Sequence, residues 1–198
     1  EFYYDLDKLA SITRKGSGSA IRSLLPNAVA WYPEGHIKGI EFPFDDVVLG
    51  VIIINDQKKS IGSTDAMQLS VETSPNYQHW VKQSFLDFEQ FQMGLKEKDF
   101  HKIGQISEDN ALRMHRVCET TIPSIQYLSK RSYEVIEVIQ ALRRNQHIEA
   151  YVTMDAGPNV KVLTKAAYKK EIEAILQGND IDILWSGIDT KGAVIIDG

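Results

Sequence analysis

Cysteine is almost missing from this 198-residue chain, where Cys118 stands alone. A single thiol excludes an internal disulfide framework and fits a reducing cytoplasm. Long apolar runs are missing too. The longest, Val47 to Ile54, has eight residues and is interrupted by Gly50, far short of the roughly 20 that cross a bilayer. Basic charge is not in excess, since 22 Lys and Arg face 27 Asp and Glu for a formal net charge of −5. No basic stripe of the kind nucleic-acid binders carry is visible. Neither a nucleic-acid nor a membrane partner is therefore expected. The five histidines, His36, His79, His101, His115 and His147, lack metal-ligand spacing. No charged-then-apolar leader opens the chain, so nothing argues for secretion.

What remains is ordinary globular material, 43% apolar and 25% charged, enough to bury a core. Leu6, Leu9 and Ile12 share one face of a short helix over Asp5 to Thr13. Ser19 reads as the N-cap of a second helix, Ala20 to Leu25, stopped by Pro26. Ala28 to Tyr32 is a strand, Pro33-Glu34-Gly35 a turn, and Val47 to Ile54 a buried strand. Val81, Phe85, Phe88, Phe91 and Leu95 mark one helix and Phe100, Ile103, Ile106 and Leu112 another. A third covers Ser132 to Arg144 with Val135, Ile139 and Leu142 inward. Strands follow at Ala150 to Met154 and Asn159 to Leu163, then a helix from Lys165 to Leu176 and a strand from Ile181 to Trp185. From Val47 onward the order is a ferredoxin-like βαββαβ pattern with an enlarged helical first crossover.

Three segments carry chemistry. In Gly16-Ser17-Gly18-Ser19-Ala20-Ile21-Arg22 the glycines let backbone approach a ligand. Ser17 and Ser19 add hydroxyls, and Arg22 supplies a fork suited to phosphate. The same residues equally describe a flexible linker entering a helix. Met154-Asp155-Ala156-Gly157-Pro158-Asn159 places a carboxylate at a strand end, where it either positions a substrate hydroxyl or simply caps its turn. In Lys58-Lys59-Ser60-Ile61-Gly62-Ser63-Thr64-Asp65-Ala66-Met67, Ser63 reads as an N-cap and the helix start as an anion site, or as a solvated loop. Cys118 and Met114-His115 read as helix packing rather than ligands.

Taken in order, these blocks resemble the diphosphomevalonate decarboxylases of the GHMP kinase superfamily. Leu9 to Ser23 resembles the family's substrate-diphosphate segment. Ser63-Thr64-Asp65-Ala66-Met67 with Glu72-Thr73-Ser74-Pro75 resembles its next signature, and Asn110 to His115 with Pro123 a further block. Met154 to Val160 is similar to the segment bearing the catalytic aspartate. Leu25-Pro26-Asn27-Ala28 replaces the usual Gly-Gly, and Asp65-Ala66 a Gly-containing pair.

The resemblance implies a two-domain GHMP-kinase-like α/β (α+β) fold. Residues 1–40 would be the tail of the N-terminal domain and 41–198 the C-terminal domain. It implies ATP-dependent conversion of (R)-5-diphosphomevalonate to isopentenyl diphosphate, ADP, phosphate and CO2. Asp155 would be catalytic. Ser17, Gly18, Ser19, Arg22, Ser63 and Thr64 would bind substrate. Magnesium would arrive with ATP, and a homodimer is the family's habit. The family's opening nucleotide-binding segment is not in this chain, which begins at Glu1, so the chain is expected to be the greater part of such an enzyme and inactive alone. The alternatives are a relative acting on phosphomevalonate or mevalonate, or a non-catalytic scaffold.

Overall fold

The computed structural model describes residues 5–16, 18–32, 34–54, 61–178 and 181–193. Two compact units emerge, Glu1–Asp45 with Ile188–Gly198, and Asp46–Gly187. In the first, helix α1 (Leu6–Gly16) follows Asp5, whose Oδ1 accepts from the N–H groups of Asp7 and Lys8, as an N-cap does. A six-residue 3-10 helix, Gly18–Ser23, follows. Strands β1 (Ala28–Trp31) and β2 (Ile37–Ile40) form an antiparallel hairpin. Ala10, Ile21 and Ile37 make its buried cluster, with Leu24, Leu25 and Val29 against it.

The helix expected at Ala20 to Leu25 is thus a tighter 3-10 turn, and Ser19 lies inside it rather than capping it. Flanking glycines and Pro26 leave too few residues to close an α-helical ladder. Helix α1 also runs on to Gly16 and turns Ala10 inward, leaving Ile12 exposed.

The second unit is a four-stranded antiparallel sheet in the order β4-β5-β3-β6. Its strands are β3 (Val47–Ile53), β4 (Ala150–Thr153), β5 (Val160–Lys165) and β6 (Asp182–Gly187). Helices α2 (Ser63–Thr73), α3 (Tyr77–Glu97), α4 (Phe100–Glu119) and α5 (Lys130–Gln146) fill the first crossover, and α6 (Lys169–Gln177) the second. This is the ferredoxin-like pattern with its enlarged crossover. Alternation sends Ile52, Val152, Val160 and Val162 to one face. There Val135, Ile136, Ile139 and Leu142 of α5 and Ile172 and Leu176 of α6 cover them.

Strand β5 continues to Lys165, where a helix was expected to begin. Lys165 still pairs with Val47, and the Ala166 N–H donates to the Asp46 carbonyl, so the helix opens only at Lys169. In α3 the expected apolar face holds for Val81, Phe88, Phe91 and Leu95, which are buried or half-buried, but Phe85 is exposed and Asp87 is buried. Asp87 accepts from Asn110, Gln83 and Arg113. Burial works to raise its carboxyl, but those three bonds and the Arg113 charge prevail and hold it below its ordinary value.

Helix α4 lies against edge strand β4 at Gly104, where an added Cβ would meet the Tyr151 ring at 2.1 Å. Gly104→Ala is expected to cost about 1–3 kcal/mol through forced separation of helix and strand. A denaturant midpoint unchanged from the parent would refute that reading. The free side of β4 is closed by an ion pair. Glu108 of α4 accepts from Gln140 and Arg143 of α5 and from the Val152 N–H. Arg143 also donates to the Ala150 carbonyl. Two side chains thereby take the hydrogen bonds that a neighbouring strand would otherwise make.

Candidate active site

Strand β4 ends at Thr153 and β5 begins at Val160, so Asp155 sits in the connecting turn. That turn is held from two neighbouring elements. Ser132 in the first turn of α5 donates from Oγ to the Pro158 carbonyl at 2.7 Å. The same serine completes a capping box with Ser129, so the helix start and the turn share one hydroxyl. At the end of β3, the Ile54 N–H donates to Asn159 Oδ1 at 2.9 Å. A carboxylate on such a turn is aimed by rigid elements rather than by a loose loop.

The Asp155 side chain is 60% exposed, and its Oδ2 accepts from Lys161 Nζ at 3.0 Å. Lys161 pairs with Thr153 across the hairpin. Side chains two apart along a strand share a face, which brings Lys161 to the side of Asp155. His115 of α4, 2% exposed, is a further residue whose charge state Asp155 influences. Burial pushes its ring below the ordinary histidine value. Glu119 and the main chain and carboxylate of Asp155 pull it back up, and Lys161 pushes it down. The sequence reading assigns neither Lys161 nor His115 to the site. The hairpin register is the signal that would have found Lys161. His115 closes the Asn110-to-His115 block that resembles the family, but its place in a helix reads equally well as packing.

Helix α2 supplies the second part. Gly62, not Ser63, is its N-cap, with extended backbone, and Ser63 is the first helical residue. Glycine offers no side chain to the first-turn N–H groups, and the Ser63 and Thr64 side chains beside them are exposed. Such a helix start suits anionic oxygens. The preceding Lys58, Lys59 and Ser60 lie outside the described residues. One apolar cluster joins the two parts. Ala66, Cys118, Ile125 and Tyr127 are buried together, with Leu69, Met114 and Ala156, the residue after Asp155, packed against them. Cys118 is a core residue, its thiol pushed up by burial.

The Gly/Ser segment belongs to the other unit. Ser17 lies outside the described residues, as does the side chain of Ser19, while Arg22 lies in the last turn of the 3-10 helix and is exposed. Among the described residues, no group of three or more His, Cys, Asp or Glu side chains is arranged to hold a metal ion. No described helix is long and apolar enough to cross a membrane.

Comparison with known proteins agrees on one family. Residues 49–180 match the model of the mevalonate 5-diphosphate decarboxylase C-terminal domain. Diphosphomevalonate decarboxylase from Candida albicans is 31% identical over 186 residues, 89% of this chain and 51% of that protein. Mevalonate pyrophosphate decarboxylase from Streptococcus pyogenes superposes with a TM-score of 0.87 at 34% identity, over 97% of this chain and 60% of that one. MDDEF, solved in complex with MVAPP, AMPPCP and magnesium, superposes with a TM-score of 0.84 at 31% identity, over 94% and 60%. The chain thus spans about half the length of the Candida relative and about 60% of these two solved chains.

Proposed function

Because the chain belongs to the mevalonate 5-diphosphate decarboxylase family, we propose that the whole protein converts (R)-5-diphosphomevalonate and ATP to isopentenyl diphosphate, ADP, phosphate and CO2. The observation that carries this reading is the Asp155 turn, a partly exposed carboxylate anchored from α5 and β3 and paired with Lys161. Its carboxylate accepts the proton of the substrate's 3-hydroxyl. Lys161 fixes one carboxylate oxygen and offsets its charge beside an anionic substrate.

Bound ATP supplies the phosphoryl group that makes a tertiary hydroxyl a competent leaving group. The start of α2, with its main-chain donors and Ser63 and Thr64, fits phosphate oxygens. Magnesium arrives with the nucleotide. Ser17, Gly18, Ser19 and Arg22 hold the substrate's diphosphate. Residues 1–40 serve as the tail of the nucleotide-binding domain and residues 41–198 as the C-terminal domain. A cytoplasmic homodimer completes the reading.

The test follows CO2 release by the whole protein from mevalonate carrying a diphosphate, a monophosphate or no phosphate, with and without ATP. ATP-dependent release from the diphosphate is expected. Turnover of the monophosphate alone would replace this reading with a related activity, and no turnover would favour a scaffold. Arg22→Ala is expected to raise KM for the diphosphate substrate about 10- to 100-fold, since it removes a charge-assisted clamp present before and during reaction. Arg22→Lys restores only part, because the planar fork is lost. An unchanged KM in Arg22→Ala would remove Arg22 from the site.

A further inference from the structure

Beneath the Asp155 turn and the start of α2 lie two buried polar side chains that the mechanism above does not use. Tyr127 is 7% exposed and His115 2%. Their rings meet edge to face, with centroids 6.3 Å apart and planes at 90°. The Tyr127 hydroxyl reaches the carbonyls of Ile61 at 3.3 Å and Gly62 at 3.4 Å, the two residues that lead into α2. At the other end, Ala156, the residue after Asp155, packs against the buried cluster that contains Tyr127, and the main chain and carboxylate of Asp155 act to raise the His115 ring. The buried cluster therefore links the α2 N-cap to the Asp155 turn.

Packing alone would not select these residue types. Phenylalanine and leucine would fill the same cluster of Ala66, Cys118 and Ile125 without burying polar atoms. Here the His115 Nε2 is buried and has no hydrogen-bond partner among the described residues, an arrangement that packing alone does not favour. We propose that Tyr127 and His115 are positioning residues that bracket the site, fixing the N-terminus of α2 relative to the carboxylate of Asp155. The bracket rests on reading those two ends as phosphate-binding and proton-accepting. Their separation is the distance that decides whether transferring phosphate and reacting hydroxyl meet in register, and displacement by about 1 Å costs up to 10²-fold in rate. Neither side chain is asked to touch substrate.

The experiment is a double-mutant cycle in the whole protein, read by steady-state kinetics on diphosphomevalonate. Tyr127→Phe keeps the ring and removes only the bonds to Ile61 and Gly62. It is expected to lower kcat about 10-fold and leave KM within about twofold, because uniform substrate binding does not pass through the bracket. His115→Phe keeps the edge-to-face shape and should give a loss of similar size. In an Asp155→Asn background, Tyr127→Phe is expected to cause little further loss, since there is no carboxylate left to position. Unchanged kcat in Tyr127→Phe with unchanged thermal stability would overturn the proposal. So would an equal loss in both backgrounds, which marks a general structural defect. If the unmutated protein released no CO2 with ATP, the functional reading itself would fail, and that result is seen before any variant is compared.

Discussion

Asp155→Asn in the whole protein is expected to lower turnover by about 10²- to 10⁴-fold, the usual contribution of a general acid–base group. The substitution preserves the shape of the side chain and can still accept from Lys161 Nζ, now 3.0 Å from Oδ2. The turn itself is held elsewhere, by Ser132 on Pro158 and by the Ile54 N–H on Asn159, so the fold should survive. Only the charge and basicity of one group are removed. The substrate's diphosphate would still be gripped at the Gly/Ser segment, so KM should change little while kcat falls. Near-normal kcat would show that Asp155 does not take the hydroxyl proton, and the carboxylate would revert to a turn residue.

The largest stability effect is expected at Glu108, whose carboxylate is 98% buried by its 2% exposure. Glu108→Ala strands the Arg143 guanidinium, which is 18% exposed, and leaves the Val152 N–H without its acceptor. Breaking one side of a buried pair costs about 3–5 kcal/mol, against a total of roughly 5–15 kcal/mol for a domain. The variant should unfold at markedly lower denaturant concentration, or fail to accumulate folded. Replacing both Glu108 and Arg143 by methionine should cost less than the sum of the single losses, because no charge is then left unpaired. A midpoint for Glu108→Ala within about 0.5 kcal/mol of the parent would mean that water replaces the carboxylate at β4.

The long periodic elements were legible in the sequence. Val135, Ile139 and Leu142 face the core as their spacing requires, although the helix opens at Lys130, two residues before the expected Ser132. The βαββαβ order followed from the strands at Val47, Ala150 and Val160 and the helix and strand beyond. What escaped was long-range. Asp87 displaces Phe85 from the buried side of α3 because Asn110 and Arg113, more than twenty residues away, supply its partners. The same applies to Glu108 and Arg143, whose meeting no local pattern announces. In the candidate site, Asp155 and Ser63 were named from sequence blocks, while Lys161 and His115 emerge only once hairpin register and helix rotation are known.

The order of the sheet also bears on how the chain folds during synthesis. Central strand β3 pairs with β5 through Ile52 and Val160, and with β6 through Ile52 and Ile183, so both neighbours arrive more than a hundred residues later. At about 5–20 residues per second, β3 waits roughly 5–20 s outside the ribosome before any partner strand exists. Its seven residues, Val-Val-Leu-Gly-Val-Ile-Ile, combine high β-propensity with no charge, the composition that self-pairs when exposed. During that interval its own sheet cannot shield it. Folding yield should therefore depend on chaperone supply and synthesis rate more steeply than the stability of the finished sheet would suggest.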